Sequence, residues 1–222
     1  MLQECKNITE SPFQVMNIIK DKSDQLQYKK GQLIYCEDNT PLGVYFVFKG
    51  KVKISKMGSD GKEQILRIAT PDDMLSYSDL VSNTKYSTSA NALEDTTLLF
   101  VSKQEFWNII RTQRQLLENF VLQLSLDLKQ AETKIADLAY KPVRGRLADA
   151  LITLTNKFNV PKTCASEVSI SRADLACFVG TAKETVNRLL SEFRNEHLIS
   201  TEGTKINIID MKGLSLVSNM YK

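Results

Sequence analysis

From Tyr28 to Phe100, short runs of β-branched and aromatic residues alternate with turn signals. Gln32–Tyr35, Gly43–Phe48, Lys51–Lys56, Gln64–Ile68 and Thr96–Val101 read as strands, separated by Lys30-Gly31, Lys49-Gly50, Gly58–Gly61 and Pro71–Asp73. In the third run Lys51, Lys53 and Lys56 are expected to face water and Val52 and Ile54 inward. The spacing predicts a compact antiparallel barrel or sandwich.

The period changes after Ser102, which is suited to cap a helix with Glu105 three residues on. Phe106, Ile109 and Ile110 follow at helical spacing. From Gln113 to Leu138 there is no Pro or Gly. Val121, Leu128 and Ile135 recur every seven residues, and Leu117, Leu124, Ala131 and Leu138 form a second row offset by three. Such a helix is about 39 Å long at the usual rise. It could lie on its own domain. Both rows hold register throughout, which favours pairing with a second copy. Lys141-Pro142 ends it.

The remaining residues predict more helices and then strands. Val143, Leu147, Leu151 and Leu154 share one face. Ser171 caps a helix ending at Val179-Gly180, and Thr181, with Glu184, caps the next. Leu198–Ile209 reads as two short strands around Gly203. The helices joined through Gly180 form a helix-turn-helix. Val186, Leu189 and Leu190 aim the second helix at a core, leaving Lys183, Glu184, Asn187 and Arg188 on its other side. Glu184 and Arg188 alone would be an ordinary surface ion pair. The capped helix before them and the ribbon after them point to a recognition surface.

Composition narrows the function classes. The 222 residues are 42% hydrophobic and 25% charged, as in a soluble globular protein. The longest apolar run, Leu42–Phe48, is too short to span a bilayer. The first residues contain no apolar signal core, so a cytoplasmic protein is expected. The four cysteines, Cys5, Cys36, Cys164 and Cys177, lack paired spacing and read as reduced thiols. A single histidine, His197, excludes a His-rich metal site. No catalytic triad, dyad or metal cluster is visible, and no enzyme is expected. The net charge of +3 is unevenly placed: residues 141–222 carry 12 Lys and Arg against 8 Asp and Glu, whereas the rest carries 17 against 18. The basic excess lies with the helix-turn-helix, where phosphate binding needs it.

Taken together, the stretches Ser171–Arg188 (SRADLACFVGTAKETVNR), Glu184–Leu190, Asn195–Ile199, Val143–Ala148 and Tyr45–Val52 resemble the Crp/Fnr superfamily of transcription regulators over nearly the whole chain. The resemblance implies an α+β fold. Residues 1–112 would form an antiparallel β-roll of the cyclic-nucleotide-binding type, 113–140 a coiled-coil dimerisation helix, and 141–222 a winged helix-turn-helix. It implies a homodimer on double-stranded DNA with an inverted-repeat operator, RNA polymerase as a further partner, and no membrane. Glu184 and Arg188 match the family's base-reading pair. Lys183 stands where one branch has arginine, and Asn187 where a smaller residue is usual. Arg172, Thr181 and Thr185 match backbone-contacting positions, and Lys205 lies in the wing.

Members that bind cyclic AMP hold its phosphate with a Gly-Glu pair and an Arg-Ser pair about ten residues later, by the general logic of anion recognition. Here Ser76 and Tyr77 replace the first pair. Tyr86 replaces the arginine, with Ser87 retained. The dimer-helix hydroxyl positions fall on Ala131 and Glu132. No cofactor is therefore expected, cyclic AMP included. Ser76, Ser78, Lys85, Ser87 and Thr88 could hold another anion, or Tyr77 and Tyr86 fill the pocket. The family's iron–sulfur and haem sensors lack ligands: only Cys5 is N-terminal, His197 precedes the wing, and Cys36 and Cys177 read as small core residues. The competing class is a ligand-binding regulatory module acting on a protein partner. Such a module has no use for an exposed recognition helix.

Overall fold

A computed structural model describes residues 19–158 and 167–220. Cys5 and Cys164 lie outside them. The described residues form two compact units: residues up to Ile54 with Ile68–Lys129, and Ser55–Arg67 with Gln130 onward.

Eight strands build the β-roll: β1 (Asp24–Tyr28), β2 (Leu33–Tyr35), β3 (Gly43–Lys49), β4 (Val52–Met57), β5 (Glu63–Ala69), β6 (Met74–Leu75), β7 (Ser89–Ala92) and β8 (Thr96–Ser102). They form two four-stranded sheets, ordered β1-β8-β3-β6 and β2-β7-β4-β5. β8 runs antiparallel to both β1 and β3, with Leu26 opposite Leu98 and Tyr45 opposite Phe100. Val44, Val47, Val52, Leu98 and Val101 are fully buried. In β4 Val52 and Ile54 are buried and Lys56 is exposed as expected, but Lys51 and Lys53 are half-buried, and Ser55 is buried beside Ile54. β1, β6 and β7 were not anticipated, because two have polar sequences and one has only two residues.

One core cluster of the first unit joins Val44, Leu99 and Val101 to helix α1 (Tyr77–Ser82) and helix α2 (Lys103–Thr112). The Ser102 hydroxyl accepts from the Glu105 amide, the expected cap. Helix α3 (Arg114–Tyr140) is the 27-residue heptad helix. Its first turns add buried Leu116 and Phe120 to the same cluster. Phe120 packs edge-on to Tyr77 and Phe106.

The second unit contains α4 (Val143–Phe158), β9 (Glu167–Ser169), α5 (Arg172–Val179), α6 (Lys183–Asn195), β10 (Ile199–Glu202), β11 (Lys205–Ile208) and α7 (Met211–Asn219). Its three-stranded sheet has the order β10-β11-β9. Leu147, Leu151 and Leu154 of α4 are buried as their spacing predicts. Lys141, at the break before Pro142, is itself buried and bonds to Asp149 of α4 and Ser218 of α7. Cys36 and Cys177 are half-buried, not sealed core residues. Among the described residues, no helix is long and apolar enough to cross a membrane, and no cluster of His, Cys, Asp and Glu could hold a metal ion.

Candidate nucleic-acid interface

The helix-turn-helix is set by its caps. The Ser171 hydroxyl accepts from the Asp174 amide at 2.9 Å and starts α5. Gly180 ends it at φ +74°, a conformation that disfavours any Cβ. A Cβ there would lie 3.0 Å from both Gln64 Oε1 and Leu138 Cδ2. Arg146 donates to the carbonyls of Leu138 and Gly180, holding the turn against the end of α3.

The N-cap of α6 is Ala182, without a side-chain cap, and not the expected Thr181. The Thr181 amide instead bonds to the Ala176 carbonyl and closes α5, which moves the start of α6 one residue along. Glu184 in the first turn complements the helix dipole in place of the cap.

Val186, Leu189, Leu190 and Phe193 bury one face of α6. Lys183, Glu184, Asn187 and Arg188 are exposed together on the other, while Thr181 and Thr185 are half-buried beside them. Arg188 does not turn to Glu184. Its Nη1 pairs at 2.5 Å with Glu192, a turn further along. Glu192 also takes Arg144 of α4, at 3.1 Å. Neither partner was anticipated. The Arg188–Glu192 spacing was readable, but nothing in the sequence brings Arg144 to this helix.

Arg172 begins α5 and donates through Nη2 to the Gly203 carbonyl at the wing turn, 3.1 Å away. Its Nη1 is buried without a hydrogen-bond partner. Burial pushes its guanidinium pKa down. Arg172, Asn187, Leu190, Ser191, Arg194 and Thr201 line a cavity of about 200 Å³ between α5, α6 and the wing, with no carboxylate in its lining. Ser191, Arg194 and Thr201 carried no motif in the sequence. Lys205 is exposed on β11 and pairs with Glu167 at 3.2 Å. His197 is exposed, at φ +59°.

The anion-pocket candidates do not share one environment. Ser76, Tyr77 and Tyr86 are buried. Ser78, Lys85 and Ser87 are exposed, and Thr88 is half-buried. The Ser76 hydroxyl donates within the chain, with the Gly43 carbonyl 2.9 Å away. Tyr86 stacks on Tyr35, and burial pushes its phenol pKa up. Along α3, Leu117, Val121, Leu128, Ala131, Ile135 and Leu138 are exposed in the single chain, while Leu124 packs partly against the first core.

Comparison with known proteins places two family profiles on the chain. A cyclic nucleotide-binding domain matches residues 25–113, and a Crp-like helix-turn-helix domain matches residues 145–217. A CRP-like cAMP-activated global transcriptional regulator of Mycobacterium tuberculosis is 26% identical over 86% of each chain. The anaerobic regulatory protein of Bacillus subtilis is 28% identical over 83% of this chain and 79% of that one. The fold resembles FixK2 from Bradyrhizobium japonicum with TM-score 0.79 and 24% identity, covering 88% of this chain and 96% of that chain.

Proposed function

Because the chain belongs to the Crp/Fnr family of DNA-binding transcription regulators, which are not enzymes, we propose that it acts as a homodimer on an inverted-repeat operator. The observation that carries this reading is the exposed quartet Lys183, Glu184, Asn187 and Arg188 on a helix whose other face is buried. An α-helix fits the major groove, where each base pair shows a distinct donor and acceptor pattern. Arg188 reads guanine acceptors, and Glu184 accepts from a cytosine amine. Lys183 adds a point charge without the planar fork of arginine. Asn187 adds a further amide on the same face. Arg172, Thr181, Thr185 and Lys205 hold backbone phosphates and fix register.

The pairing surface is the α3 seam, where Val121, Leu128 and Ile135 are 53%, 62% and 67% exposed in the single chain. Water-exposed leucine and isoleucine at heptad spacing favour a coiled coil. Two-fold symmetry then places the recognition helices about 34 Å apart, one turn of DNA. In this reading residues 1–112 are the sensor, 113–140 the dimer helix and 141–222 the DNA-binding domain. RNA polymerase is the partner through which bound dimer acts, in the cytoplasm.

The Mycobacterium relative is cAMP-activated. This chain is proposed not to take cyclic AMP. The residue at the phosphate-clamping arginine is Tyr86, whose ring is buried on Tyr35. Any ligand of the β-roll would act by binding one pose of the dimer better than another. Selection of bound sequences from random duplex DNA by the purified protein tests the function. An inverted repeat with half-sites one helical turn apart is expected. Recovery of no common sequence would overturn the reading.

A further inference from the structure

Glu192 sits one helical turn beyond Arg188, and each of its carboxylate oxygens has its own arginine. Oε1 takes Arg188 Nη1 at 2.5 Å, and Oε2 takes Arg144 Nη1 at 3.1 Å. A solvated i,i+4 ion pair would hold a long side chain only weakly. Here the far side of the carboxylate is anchored. Arg144 is 28% exposed and fixed by two further contacts: its Nη2 forks onto Glu196 at 2.6 and 2.7 Å, and its guanidinium lies 4.8 Å from the centre of the buried Phe193 ring. Glu196, first, and Glu192 raise the Arg144 pKa, consistent with a lasting cation at this point. Arg188, by contrast, is 65% exposed and held on one nitrogen only.

From this geometry we propose that Glu192 is a specificity-determining residue that positions Arg188 for base readout, with Arg144 as its anchor. This rests on the reading of Arg188 as a base-contacting residue. The chain Arg144–Glu192–Arg188 fixes the plane of the Arg188 guanidinium while leaving Nη2, Nε and one proton of Nη1 for a base edge. Arginine reads guanine with two parallel donors, so orientation decides whether both bonds form. The same carboxylate acts against wrong sequences. On DNA that offers Arg188 no guanine, Glu192 holds Arg188 away from the phosphates and adds a negative charge beside them. Specificity is a difference of affinities, and this residue works on both sides of it.

The test compares wild-type protein with the Glu192→Gln and Arg188→Ala variants. Binding is measured on the duplex selected by wild type, its single-base variants and a scrambled duplex, at several salt concentrations. Glutamine keeps size and folding but loses the charge-assisted pairs. For E192Q, affinity for the scrambled duplex rises and its salt dependence steepens, as Arg188, freed from the carboxylate, reaches phosphates. Discrimination falls by about tenfold, the lower end for a bidentate contact. It falls at the same base pair that R188A relaxes, and adding E192Q to R188A relaxes it no further. If R188A relaxes one base pair and E192Q shifts all duplexes by the same factor, the positioning role is wrong and the base-reading role stands. If R188A relaxes no position, the base-reading role fails, and this inference with it. Arg144→Gln provides an independent variant, expected to relax the same base pair. An unchanged base preference in R144Q would remove Arg144 as the anchor.

Discussion

The Tyr86 ring stacks on that of Tyr35, with centroids 4.3 Å apart and planes within 21°. Tyr45 adds a third ring, 6.0 Å from Tyr35. Stacked aromatic pairs contribute about 0.5–1.5 kcal/mol beyond the area they bury. A tyrosine held this way cannot supply the charge that a cyclic phosphate requires. Titration calorimetry with cyclic AMP and cyclic GMP is expected to show no binding at micromolar concentration. Micromolar affinity for either nucleotide would contradict this account of the β-roll.

The pairing of buried Lys141 with half-buried Asp149 predicts a large stability effect. The Lys141 side chain is only 3% exposed, and Asp149 joins it to Ser218 of α7. Asp149→Ala leaves an uncompensated buried ammonium, which costs about 3–5 kcal/mol. Chemical denaturation should show that loss. A change under about 1 kcal/mol, typical of an exposed pair, would show that Lys141 is solvated.

The seam predicts a change in assembly. Leu128→Glu and Ile135→Glu place like charges across a paired heptad helix and remove leucine or isoleucine burial worth about 1.5–3 kcal/mol per side chain. Sedimentation should give a dimer for wild type and a monomer for the double variant. An unchanged mass would move the pairing surface elsewhere.

Lys134 predicts a dependence on pH. Its Nζ lies 2.9 Å from the carbonyls of Ile65 and Leu66 and 4.3 Å from the Phe178 ring centre. Burial pushes its pKa down to about 8 from the usual 10.5. Between those values the unfolded chain binds more protons, so stability rises with pH. Below about 8 both states are protonated and the penalty is constant. The melting temperature of wild type minus that of Lys134→Met should therefore increase from pH 8 to 10. A constant difference would show that burial does not penalise the ammonium.

The strongly periodic elements were legible in the sequence. The helix running through residues 114–140 and the Ser102 and Ser171 caps each rest on signals local to one element. β1 was missed because Asp24-Gln25-Leu26-Gln27-Tyr28 has little apolar character, and its pairing with β8 comes from a distant strand. α7, with its Asp210 cap, followed a ribbon that hid its start. The Thr181 cap was misplaced by one residue because the Thr181 amide belongs to the end of α5. In the candidate interface, the exposed face of α6 was readable from one helix. The Arg144 contact and the cavity beside Arg172 were not, since each joins elements distant in sequence.

The central claim is that α6 reads base pairs through Arg188. It is tested most directly by measuring Arg188→Ala affinity on the selected operator and on every single-base variant of one half-site. The account predicts a loss of about 1–3 kcal/mol on the operator. It also predicts that discrimination vanishes at one base pair and persists at the others. An equal loss of affinity on all the duplexes would contradict it.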